Sequence, residues 1–306
     1  MALRQSGMCL TATGLTEISL EAKPDECFLV RDVLVFNPTG THLTLNCGRA
    51  TVGYFRISGA LGNHLQYVPG GGDANRSFNK TILGLLSERG LFRGFPVPTG
   101  YTFSGSGAAQ SGCVQSVIYD VYDAGDIRED QPNGPKATEF DYIIYGNTGA
   151  TITTVLSNEY DTAVNPAEFP AFPFGSTVPA RTNIMLHGVL ASPFAPSEND
   201  GTNDFGTQYL RFTKDRQVLF DKDRNGITFW QALGAQSADQ VGDGQSPIGN
   251  YNDVDNRDPL FFDPPIECLP GTELLLHVIS HIAGSSANYL VTDQEVGLIM
   301  QSTRSG

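Results

Sequence analysis

The chain has 306 residues, enough for two domains of ordinary size or one large β domain. With 34 Gly, 18 Pro and 40% hydrophobic residues, its composition is globular and turn-rich rather than disordered. Acidic residues outnumber basic ones by 33 to 19, and a formal net charge of −14 speaks against contact with bare nucleic acid or an anionic membrane surface.

The N-terminal "MALRQSGMCLTATGL" has no continuous apolar stretch of the kind a secretory signal needs, and no later run approaches the 18 apolar residues of a bilayer span. Arg4 is the one basic residue among the first 22, so no basic genome-binding arm is expected. Strand-like segments follow: "LTEISL" (15–20), "CFLVRDVLVFN" (27–37), "HLTLNCG" (42–48) and "VGYFRIS" (52–58), rich in β-branched and aromatic residues and punctuated by Pro38, Gly40 and Gly48. In "HLTLNC", Leu43 and Leu45 fall on one face and Thr44 and Asn46 on the other. After the loop "VPGGGDANRS" (68–77), "TILGLLSERG" (81–90) reads as a short helix, with Ile82, Leu85 and Leu86 on one face and Gly90 as its C-terminal cap. Strands resume at "GYTFSGS" and at 114–122.

The polar, aperiodic stretch 123–137 is the expected domain boundary, dividing a first β-sandwich (1–130) from a second (131–306). Beyond it, strands are expected at 140–146 and 151–157. A Pro-rich passage at 165–179 then precedes further strands at 183–192, 208–213 and 217–221. "ITFWQALGA" (227–235) reads as a second short helix. A long polar loop (236–258) leads to "ELLLHVISH" and "EVGLIMQS". The halves share an order of strands, a short helix, and then a Leu-Phe…Pro-aliphatic…Gly element. That element is "LFRGFPVPTGYTF" (91–103) in the first half and "LFFDPPIECLPGTELLLHV" (260–278) in the second. Pro96-Val97 answers Pro265-Ile266 and Gly100 answers Gly271, with two extra residues in the second copy. If one unit has been used twice, 101–107 and 272–278 must be equivalent strands.

Motifs for chemistry are sparse. Asp221, Asp223 and Asn225 begin a D-x-D-x-N-G calcium pattern, but the twelfth position is Ala232 where a bidentate acid is required, and Phe229 and Trp230 fall among the later ligand positions. A turn at Asn225-Gly226 is the favoured reading, with Asp221, Asp223 and Asn225 kept as a weak calcium candidate. His277 and His281, four apart on an expected strand, are about 13 Å apart and cannot share a metal. His42 and His187 read as partly buried strand residues. Five Cys (9, 27, 47, 113, 268) lack CxxC spacing and read as buried thiols. No nucleophile elbow or P-loop is present. Asp253, Asp255 and Asp258 cluster in a loop, where solvation is a simpler account than a hydrolytic carboxylate pair. No catalytic or cofactor-binding residue is assigned, and the chain is not expected to be an enzyme.

The run "YLRFTKDRQVLFDKDRNGITFWQALG" (209–234), a long loop, and the terminal pair "ELLLHVISH…EVGLIMQS" together resemble a jelly-roll unit of viral capsid proteins. Two such units in this length resemble the double jelly-roll major capsid proteins of tail-less bacterial and archaeal viruses. The resemblance implies an all-β fold of two tandem jelly-roll-like sandwiches with one short helix in each. It also implies a self-assembling virion subunit, commonly trimeric, which contacts other virion proteins and is assembled in the host cytoplasm. Neither direct nucleic-acid contact nor a membrane span is expected. A tandem sandwich would equally serve as a decoration or turret protein, or bind a receptor or carbohydrate through aromatics such as Tyr67, Phe205 or Tyr251. Loops 68–77, 193–206 and 236–258 are the expected contact regions.

Overall fold

The computed structural model describes residues 3–13, 17–36, 42–58, 62–65, 80–107, 113–127, 140–152, 157–160, 176–191, 205–220, 227–231, 259–283 and 291–304. They form antiparallel sheets with one short helix. By compactness the chain divides into two units: Met1–Tyr145 with Asn252–Val254 and Met300–Gly306, and Gly146–Tyr251 with Asp255–Ile299.

The first half contains β1 (Leu3–Thr13), β2 (Glu17–Glu21), β3 (Glu26–Phe36), β4 (His42–Cys47), β5 (Ala50–Ser58), β6 (Gly62–Asn63), α1 (Ile82–Glu88), β7 (Phe95–Val97), β8 (Thr102–Ser106) and β9 (Val114–Asp123). One sheet has the order β1-β9-β3-β7 and the other β2-β8-β4-β5-β6. Alternation in the sequence becomes alternation in burial. Ile18 and Leu20 of β2, and Leu43, Leu45 and Cys47 of β4, turn inward while their neighbours do not. The sheets meet where Phe95 of β7 stacks on Phe103 of β8, their ring centroids 5.7 Å apart. Phe92 packs edge-on against Phe95 at 4.8 Å.

The helix forms where the periodicity put it. Thr81 caps its N-terminus by accepting a bond from Gly84 N (3.1 Å), and Ile82, Leu83, Leu85 and Leu86 are buried. Gly90 takes the left-handed conformation just past the end. The helix is tied to the sheet twice. The Thr81 hydroxyl donates to Asp32 of β3 (2.6 Å), and Ile82 N bonds the carbonyl of His64. The next carbonyl, that of Leu65, accepts from Val35 N on β3.

The second half contains β10 (Phe140–Ile152), β11 (Ser157–Tyr160), β12 (Ser176–Thr177), β13 (Thr182–Ala191), β14 (Phe205–Lys214), β15 (Gln217–Phe220), β16 (Ile227–Gln231), β17 (Leu260–Cys268), β18 (Glu273–Ala283) and β19 (Val291–Arg304). One sheet has the order β10-β19-β13-β17. In the other, β18 lies between β14 and the short strands β11 and β12, and β14 also pairs with β15 and β16. Pro264 and Pro265 fall on β17 at the end of its sheet, where a missing ladder donor is tolerated.

The halves share a pairing pattern. Reading β1-β9-β3-β7 against β10-β19-β13-β17, each sheet sets the last strand of its half between the first strand and an inner one (β3, β13), which pairs in turn with a later strand (β7, β17). The partner sheets place β8 between β2 and β4, and β18 between β12 and β14. Register and turns agree as well. Phe28 lies opposite Val97 as Ile184 lies opposite Cys268, and Val30 opposite Phe95 as Leu186 opposite Ile266. Leu20 faces Phe103 as Ser176 faces Leu274. Ala22 N bonds Tyr101 O (3.0 Å) and Gly100 N bonds Ala22 O (2.9 Å). Their counterparts are Val178 N to Thr272 O and Gly271 N to Val178 O, both 2.8 Å. Glu26 N to Lys23 O repeats as Thr182 N to Pro179 O, both 3.1 Å. Residues 102–106 and 273–277 therefore hold the same place in their two sheets.

Two expectations change. The segment 227–235 does not provide a second helix in its described part: Ile227–Gln231 is strand β16, paired antiparallel with β14. Ile-Thr-Phe-Trp is a β-branched and aromatic run, and a sheet edge beside β14 overrides the weak helical spacing. The Pro-aliphatic pairs lie within strands β7 and β17, and the bend comes after them, at Pro98–Tyr101 and Leu269–Thr272. With Gly100 matched to Gly271, the pair Pro96-Val97 faces the same partners as Glu267-Cys268, so the shared element is the glycine turn and not the prolines. Residues 123–127, which open the expected boundary stretch and fall within the expected first sandwich, pack on the first unit. Ile127 is buried with Cys27 and Tyr122, and Ala124 N bonds Asp25 O.

Candidate assembly surface

The N-terminal strand β1 was not read as a strand from the sequence, and it is unlike every other described strand of the first unit. It lies at the end of its sheet, paired only to β9 among the described residues, and every residue from Leu3 to Cys9 is exposed. Leu3 is 53% and Met8 37% exposed. By register Met8, Leu10 and Ala12 share the face of Tyr119, Val117 and Gln115. Cys9 and Thr11 share the other face with Ile118 and Ser116, where the Thr11 and Ser116 hydroxyls bond at 2.9 Å.

Two irregularities in the ladder, between Leu3 and Gln5 and between Gln5 and Met8, re-aim the start of the strand. Gly7 takes φ +69 there, a conformation that costs glycine little. Asp120 of β9 fastens this bulge. Its carboxylate accepts from Gly7 N (3.0 Å), the Ser6 hydroxyl (2.9 Å) and Arg31 Nε (2.8 Å). Burial alone would raise the Asp120 pKa, but these donors outweigh it and hold the group below the usual carboxylate range. Arg4 reaches from β1 to Asp123 and, at 3.5 Å, to Asp25. Asp32, also on β3, behaves oppositely. Loss of water around it pushes its pKa up to about 6, against the bonds from Thr81 and Val33 N.

Among the described residues, those with chemical potential are not gathered into a reactive centre. Asp221, Asp223 and Asn225 lie outside the described residues, as do Asp253, Asp255 and Asp258 and the aromatics Tyr67 and Tyr251. Among the described residues no group of three His, Cys, Asp or Glu is placed to hold a metal. His42 stacks on Tyr54 at 4.9 Å, and His187 is buried on β13. His277 and His281 lie on β18 opposite Arg211 and Thr207, four positions apart. All five cysteines are free, four of them buried and Cys9 exposed. Burial pushes the Cys47 thiol up to about 12 and Cys268 up to about 11, which keeps both protonated and unreactive at neutral pH.

No known family and no curated protein matches the chain in sequence. Among solved structures, it is similar to the major capsid protein P2 of bacteriophage PM2, at 11% identity over 98% of both chains with a TM-score of 0.41. A VP2 subviral particle of infectious bursal disease virus is similar at 12% identity, over 99% of this chain and 73% of that one, with a TM-score of 0.22. A tandem CBM22 domain of Paenibacillus barcinonensis Xyn10C stands at 9% identity, 97% and 86% coverage and a TM-score of 0.17. Likenesses at this level transfer no residue role to this chain.

Proposed function

We propose that this chain is a virion structural protein, a capsid subunit made of two tandem jelly rolls that builds a shell through symmetric contacts, with a homotrimer as the building block. The observation that carries the reading is internal. Two antiparallel sheets with matching pairing patterns, β1-β9-β3-β7 with β10-β19-β13-β17 and β2-β8-β4 with β12-β18-β14, recur in the two halves with the same glycine turn and the same register. Such paired sheets support a jelly-roll reading, an architecture that viral capsid subunits share with lectins and cupins. The step from fold to role is by analogy, and duplication within one chain narrows it toward the double jelly-roll capsid type. The boundary between the two rolls falls within 123–137 in this reading, after the anchored Ile127.

The acidic balance supports a position away from the genome; assembly in the host cytoplasm enters the proposal by analogy alone. No substrate, cofactor or metal is part of the proposal. Light scattering coupled to size exclusion, followed by imaging of concentrated material, tests it. Trimers that grow into closed shells are the expected result. A strict monomer at high concentration would sink the capsid assignment. Trimers that only dock as knobs on another particle would replace it with decoration.

A further inference from the structure

The outer edge of β1 has no described strand beside it, and its side chains are exposed from Leu3 through Cys9. A sheet edge leaves backbone donors and acceptors in a row, which only water or another strand can satisfy. Proteins ordinarily guard such edges with charge, proline or distortion. Here the guards sit at one end. The bulge occupies the stretch from Leu3 to Met8, and Arg4, the strand's one charged residue, is engaged by Asp25 and Asp123 of its own chain. From Gly7 to Thr13 the sequence Gly-Met-Cys-Leu-Thr-Ala-Thr carries neither charge nor proline, and its pairing with β9 is regular from Met8 onward.

We propose that this Gly7–Thr13 edge is a contact between two copies of the chain, which pair antiparallel strand to strand about a twofold axis. The proposal rests on the self-assembly reading above and names the surface for one of its contacts. Charge selects the occupant. Copies that each carry −14 repel on approach, and the repulsion is least where neither brings a charged side chain. A basic partner would be drawn to the acidic surface instead. Antiparallel self-pairing is also isologous, so the same seven residues serve both sides without a second complementary surface. An edge this short buries well under the roughly 1,000 Å² of a stable interface, so the pairing is weak in a lone pair of chains and gains strength in an array.

Cys9 supplies a probe, because it is the exposed cysteine and the other four are buried. Intact protein is treated with a short bismaleimide, to which each thiol adds once. Pairing centred near Cys9 and Leu10 brings two Cys9 thiols within its span. The expected result is a cross-linked dimer that rises with protein concentration and is lost in Cys9→Ser. The dimer should fall at least several-fold in Thr11→Glu and in Thr13→Glu, with Cys9 labelling by a monofunctional maleimide unchanged. Both Thr positions are exposed, and matching melting curves verify that the variants fold. A dimer yield no higher than that of urea-unfolded chains, or one insensitive to both Glu variants, overturns the proposal. Shells or trimers without a Cys9 cross-link also overturn the edge contact, yet leave the assembly reading standing. A Cys9 dimer in protein that never forms larger particles upholds the edge and counts against the capsid assignment alone.

Discussion

Gly48–Arg49 joins β4 to β5 in the first half, and Asp215–Arg216 joins β14 to β15 in the second; both are two-residue hairpins at equivalent places. In the first, Gly48 alone takes positive φ (+59), and its N–H bonds Thr102 O at 2.8 Å. In the second, both residues are in the left-handed region, at φ 49 and 65. Asp215 compensates: its N–H bonds Glu273 O, and its carboxylate accepts from Glu273 N, both at 3.0 Å. One turn relies on glycine's freedom and the other on an aspartate's second hydrogen bond. The backbone path is the invariant, and side chains reach it by separate routes, which is why residue identity between the halves is so faint.

Ways to break this equivalence follow in order of expected size. Phe103 and Leu274 hold matching, fully buried positions on β8 and β18. Phe103→Ala is expected to cost about 3–5 kcal/mol and Leu274→Ala about 2–5 kcal/mol. Hydrogen exchange should show each loosening its own half first, and a loss spread evenly over both would deny that the halves are separate cores.

Next come the turns themselves. Gly48→Ala meets the Tyr101 ring at 2.9 Å and forces a left-handed alanine, a cost of about 1–3 kcal/mol in urea denaturation. Asp215→Ala loses the carboxylate bond to Glu273 N and should cost about 1–2 kcal/mol. Asp215→Gly should recover part of that loss by relieving the backbone, and a Gly variant no better than Ala would remove the distinction drawn between the turns.

Asp32 and Asp120 sharpen a smaller contrast within the first unit. The Asp32 pKa is raised, so the folded state holds its proton more tightly than the unfolded chain does. The stability this gives is full below pH ~4 and is lost as pH rises to about 6. Asp32→Asn should flatten that decline in denaturation curves taken across this range. The Asp120 pKa is lowered, so its contribution is present above pH ~4 and is lost only as pH falls further. Asp120→Asn should therefore leave the pH 4–6 slope intact and reduce the acid-side loss. The smallest effect is expected at Arg4, an exposed pair of the kind that contributes little: Arg4→Ala should leave the melting curve nearly unchanged.

Much of the fold was legible because alternation and turn residues act locally. The buried positions of β2 and β4, the helix at α1 with its Thr81 cap and Gly90 stop, and the Gly100 and Gly271 bends all follow from near neighbours in the chain. What was misread depended on distant partners. Ile227–Gln231 is a strand because β14 lies beside it. Pro96 and Pro265 of the echoed element lie within strands, while the bends that follow hold Pro98 and Pro270. β1 escaped notice because an uncharged, Gly-interrupted run without buried alternation resembles a loop until β9 pairs with it.

By itself the sequence determined that the chain is all-β, acidic, and composed of two halves sharing a glycine bend, since composition and short-range periodicity need no distant partner. Only the tertiary structure decided that the echo is an equivalence of strands, because register and sheet order are long-range hydrogen-bonding facts. It also decided which edge is open among the described residues. A strand becomes an edge only by what fails to pair beside it, and no stretch of sequence states that of itself.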